Sequence, residues 1–183
     1  HGMRMPLGEH SIASVADKAC FVTDGNMPEN FSRILERIFP KPGKKLFYRL
    51  PRSENAKNLA EIEKMCLFLY ENGFSQNSVI IAAGGGAITD SAGFAASVYM
   101  RGIRWISVPT TFLGQIDAGI GGKTGVDLRL DGRICGKNII GTFWQPAAIV
   151  LETEFLESLP PEELRSGAGE LAKYAILMQT EEG

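Results

Sequence analysis

Histidine is nearly missing from this sequence: the 183 residues contain two, His1 and His10, both in the weakly patterned first stretch. A zinc site with two or three imidazoles therefore cannot be built from this chain alone. Cysteine is sparse as well, and Cys20, Cys66 and Cys135 are too far apart for a C-x-x-C metal or redox pair. Each has apolar neighbours, which predicts small buried hydrophobes in a reducing compartment. An excess of either charge is also absent, since Lys+Arg 19 against Asp+Glu 21 gives a net charge of -2. Nucleic-acid binding through phosphate neutralisation needs a basic excess on at least one face, so that class of partner is set aside. No apolar run approaches the roughly 20 residues needed to span a bilayer. The opening residues lack the basic, apolar, small-residue order of a secretory leader. A cytoplasmic protein with neither membrane nor nucleic acid as partner is expected.

Glycine, by contrast, is plentiful: 21 residues, about 11 % of the chain against a usual ~7 %. Many fall in Gly84-Gly85-Gly86 and in the cluster Gly114, Gly119, Gly121, Gly122 and Gly125. No period repeats, so clustered glycine points to backbone approaching a ligand closely. Apolar residues at 44 % and charged residues at 22 % are ordinary for a globular chain, and the length suits one sizeable domain.

Short apolar runs alternate with helical patterns. Ala19 to Val22 reads as a strand ending at the turn-type residues Thr23 to Asn26. Pro28 opens a helix with Phe31, Ile34, Leu35 and Ile38 on one face, and Leu46 to Leu50 is the next strand. Ser53 is the expected cap of a helix that buries Leu59, Ile62, Cys66 and Leu69. Val79 to Ala83, apolar throughout, predicts a strand covered on both faces. It leads through the triple glycine into a helix of small residues, and Ile103 to Val108 is a fourth strand closing at Pro109-Thr110-Thr111. This rhythm means a parallel α/β sheet. Gly119 to Gly125 is expected to be loop. Val126, Leu128 and Leu130 then alternate before Asp131-Gly132, a strong hairpin turn signal. Ala148 to Leu151 is a further strand, and Pro161 starts a helix with Leu164, Ala168, Leu171, Ala172 and Ala175 on one face.

Several segments carry candidate chemistry. Glycines between a buried strand and a helix bare main-chain N–H groups at the positive end of the helix dipole, which favours phosphate. Without a ligand, the same glycines would simply make a tight turn. Asp90, expected in the first helical turn, is either a dipole partner or a group that fixes a cofactor. Thr110 and Thr111 stand where open parallel sheets bind ligands, although hydroxyls there also cap helices. Lys123 and Lys137 are each flanked by glycine and offer compact positive charge for phosphate or carboxylate, or else are solvated loop charges. Gly122-Lys123-Thr124 is not a Walker loop, because Asp117 stands where that motif needs glycine. Glu170 and Lys173, three residues apart, make at least a solvated ion pair.

In order, these segments resemble one family, the 3-dehydroquinate synthases among the sugar phosphate cyclases. The resemblance runs from Gly84-Gly85-Gly86-Ala87-Ile88-Thr89-Asp90 through Tyr99-Met100-Arg101-Gly102, Val108-Pro109-Thr110-Thr111 and Asp117. It continues through Gly121-Gly122-Lys123-Thr124-Gly125, Gly136-Lys137-Asn138, Gln145-Pro146 and Leu159-Pro160-Pro161 to Glu170-Leu171-Ala172-Lys173-Tyr174. It implies a parallel-sheet, Rossmann-like NAD-binding α/β domain over residues 1–159. Residues 160–183 would then be the first helix of a truncated, helical, metal-binding domain. The implied reaction converts 3-deoxy-D-arabino-heptulosonate 7-phosphate to 3-dehydroquinate plus phosphate. In it NAD takes a hydride from a ring carbinol, phosphate is eliminated, the hydride returns and an aldol closure forms the ring.

Carried over residue by residue, the resemblance places Asp24, Asn26, Glu54, Lys57, Gly85, Gly86, Asp90, Thr110 and Thr111 on the cofactor. Lys123, Lys137, Phe155, Leu156 and Ser158 line the same pocket. Arg101, Asp117, Lys123, Asn138 and Lys173 would meet the sugar phosphate, and Glu170 would ligate the catalytic zinc or cobalt. A homodimer is implied, with Arg101 near its interface. The family pattern has glycine where Ser53 stands, a shorter segment than Asp127 to Cys135, and two metal-binding histidines that this sequence lacks, so the chain is expected to be inactive alone. Three alternatives share parts of the pattern: a 2-epi-5-epi-valiolone synthase type of cyclase, an iron-dependent alcohol dehydrogenase-like protein, and a non-catalytic NAD-binding module. The dehydrogenases lack the Gly-Gly-Lys-Thr-Gly and Gly-Lys-Asn blocks.

Overall fold

Apolar runs that need cover on both faces dictate the main sheet. The computed structural model describes residues 16–25, 31–38 and 44–180. Seven strands follow along it: β1 (Lys18–Thr23), β2 (Lys44–Arg49), β3 (Val79–Gly84), β4 (Arg104–Pro109), β5 (Lys123–Leu130), β6 (Arg133–Phe143) and β7 (Ala148–Ile149). Five of them form a parallel sheet in the order β2-β1-β3-β4-β7. Every residue of β3 is buried, as its unbroken apolar run required. Strand order reverses between β1 and β3, and the crevice outside the carboxyl ends of two such strands is where open α/β sheets take ligands.

Helices cover both faces. On one side α2 (Leu59–Glu71) and α3 (Gly86–Val98) pack over Cys20, Val22, Ile80 and Ala82. On the other, α1 (Phe31–Ile38) and the turn carrying Phe155 cover Phe21, Val79 and Ile81, with the Phe31 and Phe155 rings 5.9 Å apart. The small residues of α3 let it lie close: a methyl at Gly93 would come within 2.5 Å of Thr124 and 3.1 Å of Trp105. The last helix, α4 (Pro161–Thr180), meets the rest through Gly167, which sits against the Phe112 ring. Leu164 and Leu171, expected on its apolar face, are exposed.

Several expectations are corrected. The cap of α2 is Asn58, whose side chain accepts from the Glu61 N–H at 3.0 Å; Ser53 instead begins a 3-10 turn, Ser53–Ala56, that precedes the helix. With the start shifted, Ile62, Met65 and Leu69 form the buried face while Leu59 is exposed. Residues 123–125 are strand, not loop, because β5 and β6 form a long hairpin that lays Val126 on α3. Its turn at Asp131-Gly132 follows the expected signal, both residues having positive φ, 49° and 77°. β7 pairs only over Ala148–Ile149, shorter than the apolar run. Of the cysteines only Cys20 is fully buried, with its thiol pushed up to about 12 by burial, whereas Cys135 is exposed on the hairpin.

Replacing a capping asparagine by alanine leaves a helix N–H without its acceptor. Asn58→Ala is expected to lower the unfolding free energy by about 1 kcal/mol, read from urea denaturation. A loss below a few tenths would mean that the cap does not hold the helix end.

Candidate functional site

The carboxyl ends of β1, β3 and β4 gather the polar residues that the core excludes. β3 runs into the glycine turn, and Gly85 is the N-cap of α3. The first N–H groups of any helix have no intrahelical acceptor, so they face outward here with the dipole behind them. The Thr110 N–H donates to the Gly84 carbonyl at 3.0 Å, fixing the end of β4 beside that turn. A methyl at Gly85 would lie 3.2 Å from the Thr111 methyl, and one at Gly86 3.3 Å from Ala118. The Thr111 hydroxyl accepts from the Gly114 N–H at 3.1 Å, where the π-helical turn Gly114–Ala118 begins. Its O–H proton remains available to a ligand. Half-buried Asp24 stands just beyond the end of β1; Asn26 lies outside the described residues.

The charged centre is Lys57. Its side chain is only 6 % exposed, and its ammonium meets Asp90 Oδ2 at 2.6 Å and the side-chain oxygen of Asn138. Three distant segments are thus joined: the entry to α2, the second turn of α3 and the middle of β6. Asp90 falls one turn deeper than expected, since α3 starts at Gly86, and it is engaged with Lys57 rather than serving the helix dipole. Burial raises the Asp90 carboxyl above the usual carboxylate range; Lys57 opposes that rise, and the charges of Glu54 and Asp127 add to it. Glu54 itself is exposed, with its carbonyl accepting from Arg129 Nη2 at 2.5 Å.

Other expected residues fall in and out of this neighbourhood. Lys123 opens β5, and Lys137 adjoins Asn138 on β6; both are exposed on the hairpin. Asp117 is exposed in the π-helical turn. Phe155 places its side chain in the core, leaving Leu156 and Ser158 as the accessible members of that segment; Ser158 donates to the Phe155 carbonyl at 3.1 Å. Glu170 and Lys173 pair at 2.8 Å on α4. Arg101 is not brought together with the rest. It precedes β4, at the amino edge of the sheet, on the order of 15–20 Å from the carboxyl edge by the rise of a six-residue strand.

Several glycines counted above as ligand signals have packing partners instead. Methyls at Gly119, Gly122 and Gly125 would strike Pro109, Gln145 and the Ile140 carbonyl at 2.6 to 2.7 Å. Two buried polar residues went unnoticed in the sequence. Gln115 ties the end of β4 to the exit of β7 by donating to the Pro109 and Glu152 carbonyls at 3.2 and 2.9 Å. Asp127, 1 % exposed, accepts from the Asn138 N–H. A signal for Asp127 existed: an acid between Val126 and Leu128 in a strand pattern. Among the described residues no group of three His, Cys, Asp or Glu could hold a metal ion, and no helix is long and apolar enough to cross a membrane.

A doubly covered parallel sheet with a glycine turn, paired threonines and a Lys–Asp–Asn cluster built around the buried Lys57 at its carboxyl edge defines an α/β domain of the cofactor-binding type. Comparison makes this specific. The family model described as 3-dehydroquinate synthase N-terminal matches residues 47–166. A 3-dehydroquinate synthase of Alkaliphilus metalliredigens (strain QYMF) is 40 % identical over 98 % of this chain and 48 % of its own length. One from Sulfolobus acidocaldarius is 50 % identical over 70 % of this chain and 35 % of its own. Among solved structures, 2-deoxy-scyllo-inosose synthase complexed with carbaglucose-6-phosphate, NAD+ and Co2+ superposes with a TM-score of 0.79 at 28 % identity, covering 88 % of this chain and 42 % of that one. The chain belongs to the 3-dehydroquinate synthase family, and it spans about half the length of the curated relatives it matches.

Losing Lys57 would leave the Asp90 carboxylate half-buried without its cation. In Lys57→Met, Asp90 is expected to titrate higher still, since burial then acts unopposed. A carboxyl whose folded value exceeds its unfolded one costs stability as pH rises from about 4 through the folded value. The variant should therefore lose about 2–5 kcal/mol near neutrality and recover part of that loss under acid. Carboxyl NMR titration together with pH-dependent unfolding measures both, and a loss independent of pH would contradict the pairing.

Proposed function

We propose that this chain is the NAD-binding part of a 3-dehydroquinate synthase, acting within the full-length protein on 3-deoxy-D-arabino-heptulosonate 7-phosphate in the cytoplasm. The observation that carries this reading is the glycine turn at the α3 N-terminus, set against Thr111 and beside the Lys57–Asp90–Asn138 cluster. The turn fits a pyrophosphate because a methyl at Gly85 would fill the space against Thr111 where close approach is needed. NAD, when bound, supplies a reversible acceptor for the hydride of the sugar carbinol.

This chain's residues bind and orient. Amides at Gly85 and Gly86 take the pyrophosphate, and the Thr110 and Thr111 hydroxyls donate beside it. Asp24, Glu54 and Lys57 are proposed on the adenosine side, Glu54 and Lys57 at the ribose. Lys123, Asn138 and Asp117 face the sugar phosphate, where ammonium charge stabilises phosphate and carboxylate. Lys137, Leu156 and Ser158 border the cofactor. Glu170, half-buried and held by Lys173, is a suitable oxygen ligand for zinc or cobalt. The described residues contribute no second and third donor, so no step is assigned to the metal.

Titration calorimetry with NAD+ tests the reading: heat of binding is expected for the natural chain, and Gly85→Val should weaken binding more than about tenfold by blocking the approach to the amides. No heat from the natural chain would overturn it. A sister cyclase is the second reading, favoured by the likeness to 2-deoxy-scyllo-inosose synthase. Offering the full-length protein heptulose 7-phosphates with and without a carboxylate separates the two, turnover of the carboxylated sugar supporting the first.

The amino-edge position of Arg101 fits a role at the interface of a homodimer, contributed to the neighbouring copy's site. Mixing full-length Arg101→Ala with full-length Lys123→Ala should then restore activity that each lacks alone. Two inactive proteins that stay inactive when mixed and exchanged would place Arg101 outside any shared site.

A further inference from the structure

The hairpin is irregular where Lys137 and Asn138 stand. Val126 faces Ile140, but the next pair is Leu128 with Gly136, so three residues of β6 oppose the single residue Asp127 of β5. A bulge leaves its extra residues outside the ladder. Here the Asp127 carboxylate replaces a ladder partner: its Oδ1 accepts from the Asn138 N–H at 3.0 Å. Asn138 has a φ of 54°, a left-handed conformation that a non-glycine residue needs help to keep. The Asp127 N–H, in turn, donates to the Lys57 carbonyl at 3.2 Å. One residue therefore grips the backbones of both Asn138 and Lys57, whose side chains meet each other in front of Asp90.

Folding alone does not account for an aspartate at this position. The side chain is buried, and its Oδ2 has no hydrogen-bond partner among the described residues. A buried carboxylate with an unmatched oxygen is costly, and an apolar strand residue would fill the same place without that cost but could not accept the Asn138 N–H. We infer that Asp127 is a positioning residue: it holds the Asn138 bulge and the Lys57 backbone so that the ammonium, Asp90 and the Asn138 amide keep one arrangement. This rests on the preceding assignment only in taking Lys57 and Asn138 to serve the cofactor and the sugar phosphate.

The test uses the full-length protein without ligand. Residue-resolved hydrogen exchange follows the Asn138 amide, and acetylation detected by mass spectrometry follows the Lys57 amine. Asp127→Leu removes the acceptor and should raise both rates about tenfold or more, the worth of a charge-assisted hydrogen bond. Amides at Leu130 and Arg133, and acetylation of Lys64, should stay unchanged. Asp127→Asn keeps an acceptor and should hold both rates within about threefold of the natural protein. The NAD+ dissociation constant, measured on the same proteins, should rise about tenfold with leucine and recover with asparagine. Unchanged rates at Asn138 and Lys57 with leucine would overturn the inference. So would a loss spread evenly over the hairpin, or lost protection with an unchanged NAD+ constant. If leucine prevents folding, Asp127→Asn and Asp127→Ser decide: serine, too short to reach the Asn138 N–H, must raise the Asn138 rate above that of asparagine, and equal rates overturn the inference. Absence of NAD+ heat in the natural protein would sink the cofactor assignment while the exchange and labelling data still judge Asp127.

Discussion

A positive charge taken out of water must be matched, and the Lys57 ammonium is matched by two groups from distant parts of the chain. Its contact with Asp90 fixes where α3 lies relative to the entry of α2. Its contact with Asn138 fixes where the hairpin crosses the sheet's carboxyl edge. The apolar layers bring these segments near one another without specifying their mutual angle to better than what side-chain packing allows. The polar cluster supplies that specification, and it does so at the place where a ligand would need it.

The same constraint explains why the hairpin is built as it is. Packed against α3 through Val126 and Thr124, it carries Lys123 on one strand and Lys137 with Asn138 on the other. A plain loop bearing two lysines would leave their positions to thermal motion and solvent. Strand pairing at both ends, with an interruption in the middle, gives rigid placement and still frees one stretch of backbone to turn toward Lys57. Glycine serves this arrangement mainly by letting backbones touch: a methyl at Gly141 would collide with the Thr124 carbonyl across the ladder.

Which parts could be read in the amino acids follows from the range of the forces involved. β3 was legible because burial on both faces writes itself as an unbroken apolar run, and the turn at Asp131-Gly132 because its backbone angles restrict residue type. The glycine turn and Pro109-Thr110-Thr111 were legible as local patterns. The strand character of residues 123–125 was not, since glycine and lysine have low strand preference and only the partner strand and α3 override it. The cap of α2 was misplaced because two polar residues, Ser53 and Asn58, satisfy the same local rule, and the 3-10 turn between them chooses. Lys57 and Asn138 are 81 residues apart, so no window along the chain contains their meeting. Asp127 was hidden for a related reason: its meaning lies in the residue opposite it.

The two outer strands of the five-stranded sheet differ in a telling way. β2 presents Lys44, Lys45 and Arg49 along its rim, and β7 extends for just two residues. Charged side chains on one border and brevity on the other deny a foreign strand the row of bare amides it would need to zip on. Copies of this molecule are thereby steered away from joining sheet to sheet. The open borders stay guarded against the β-aggregation to which an unprotected parallel sheet is prone.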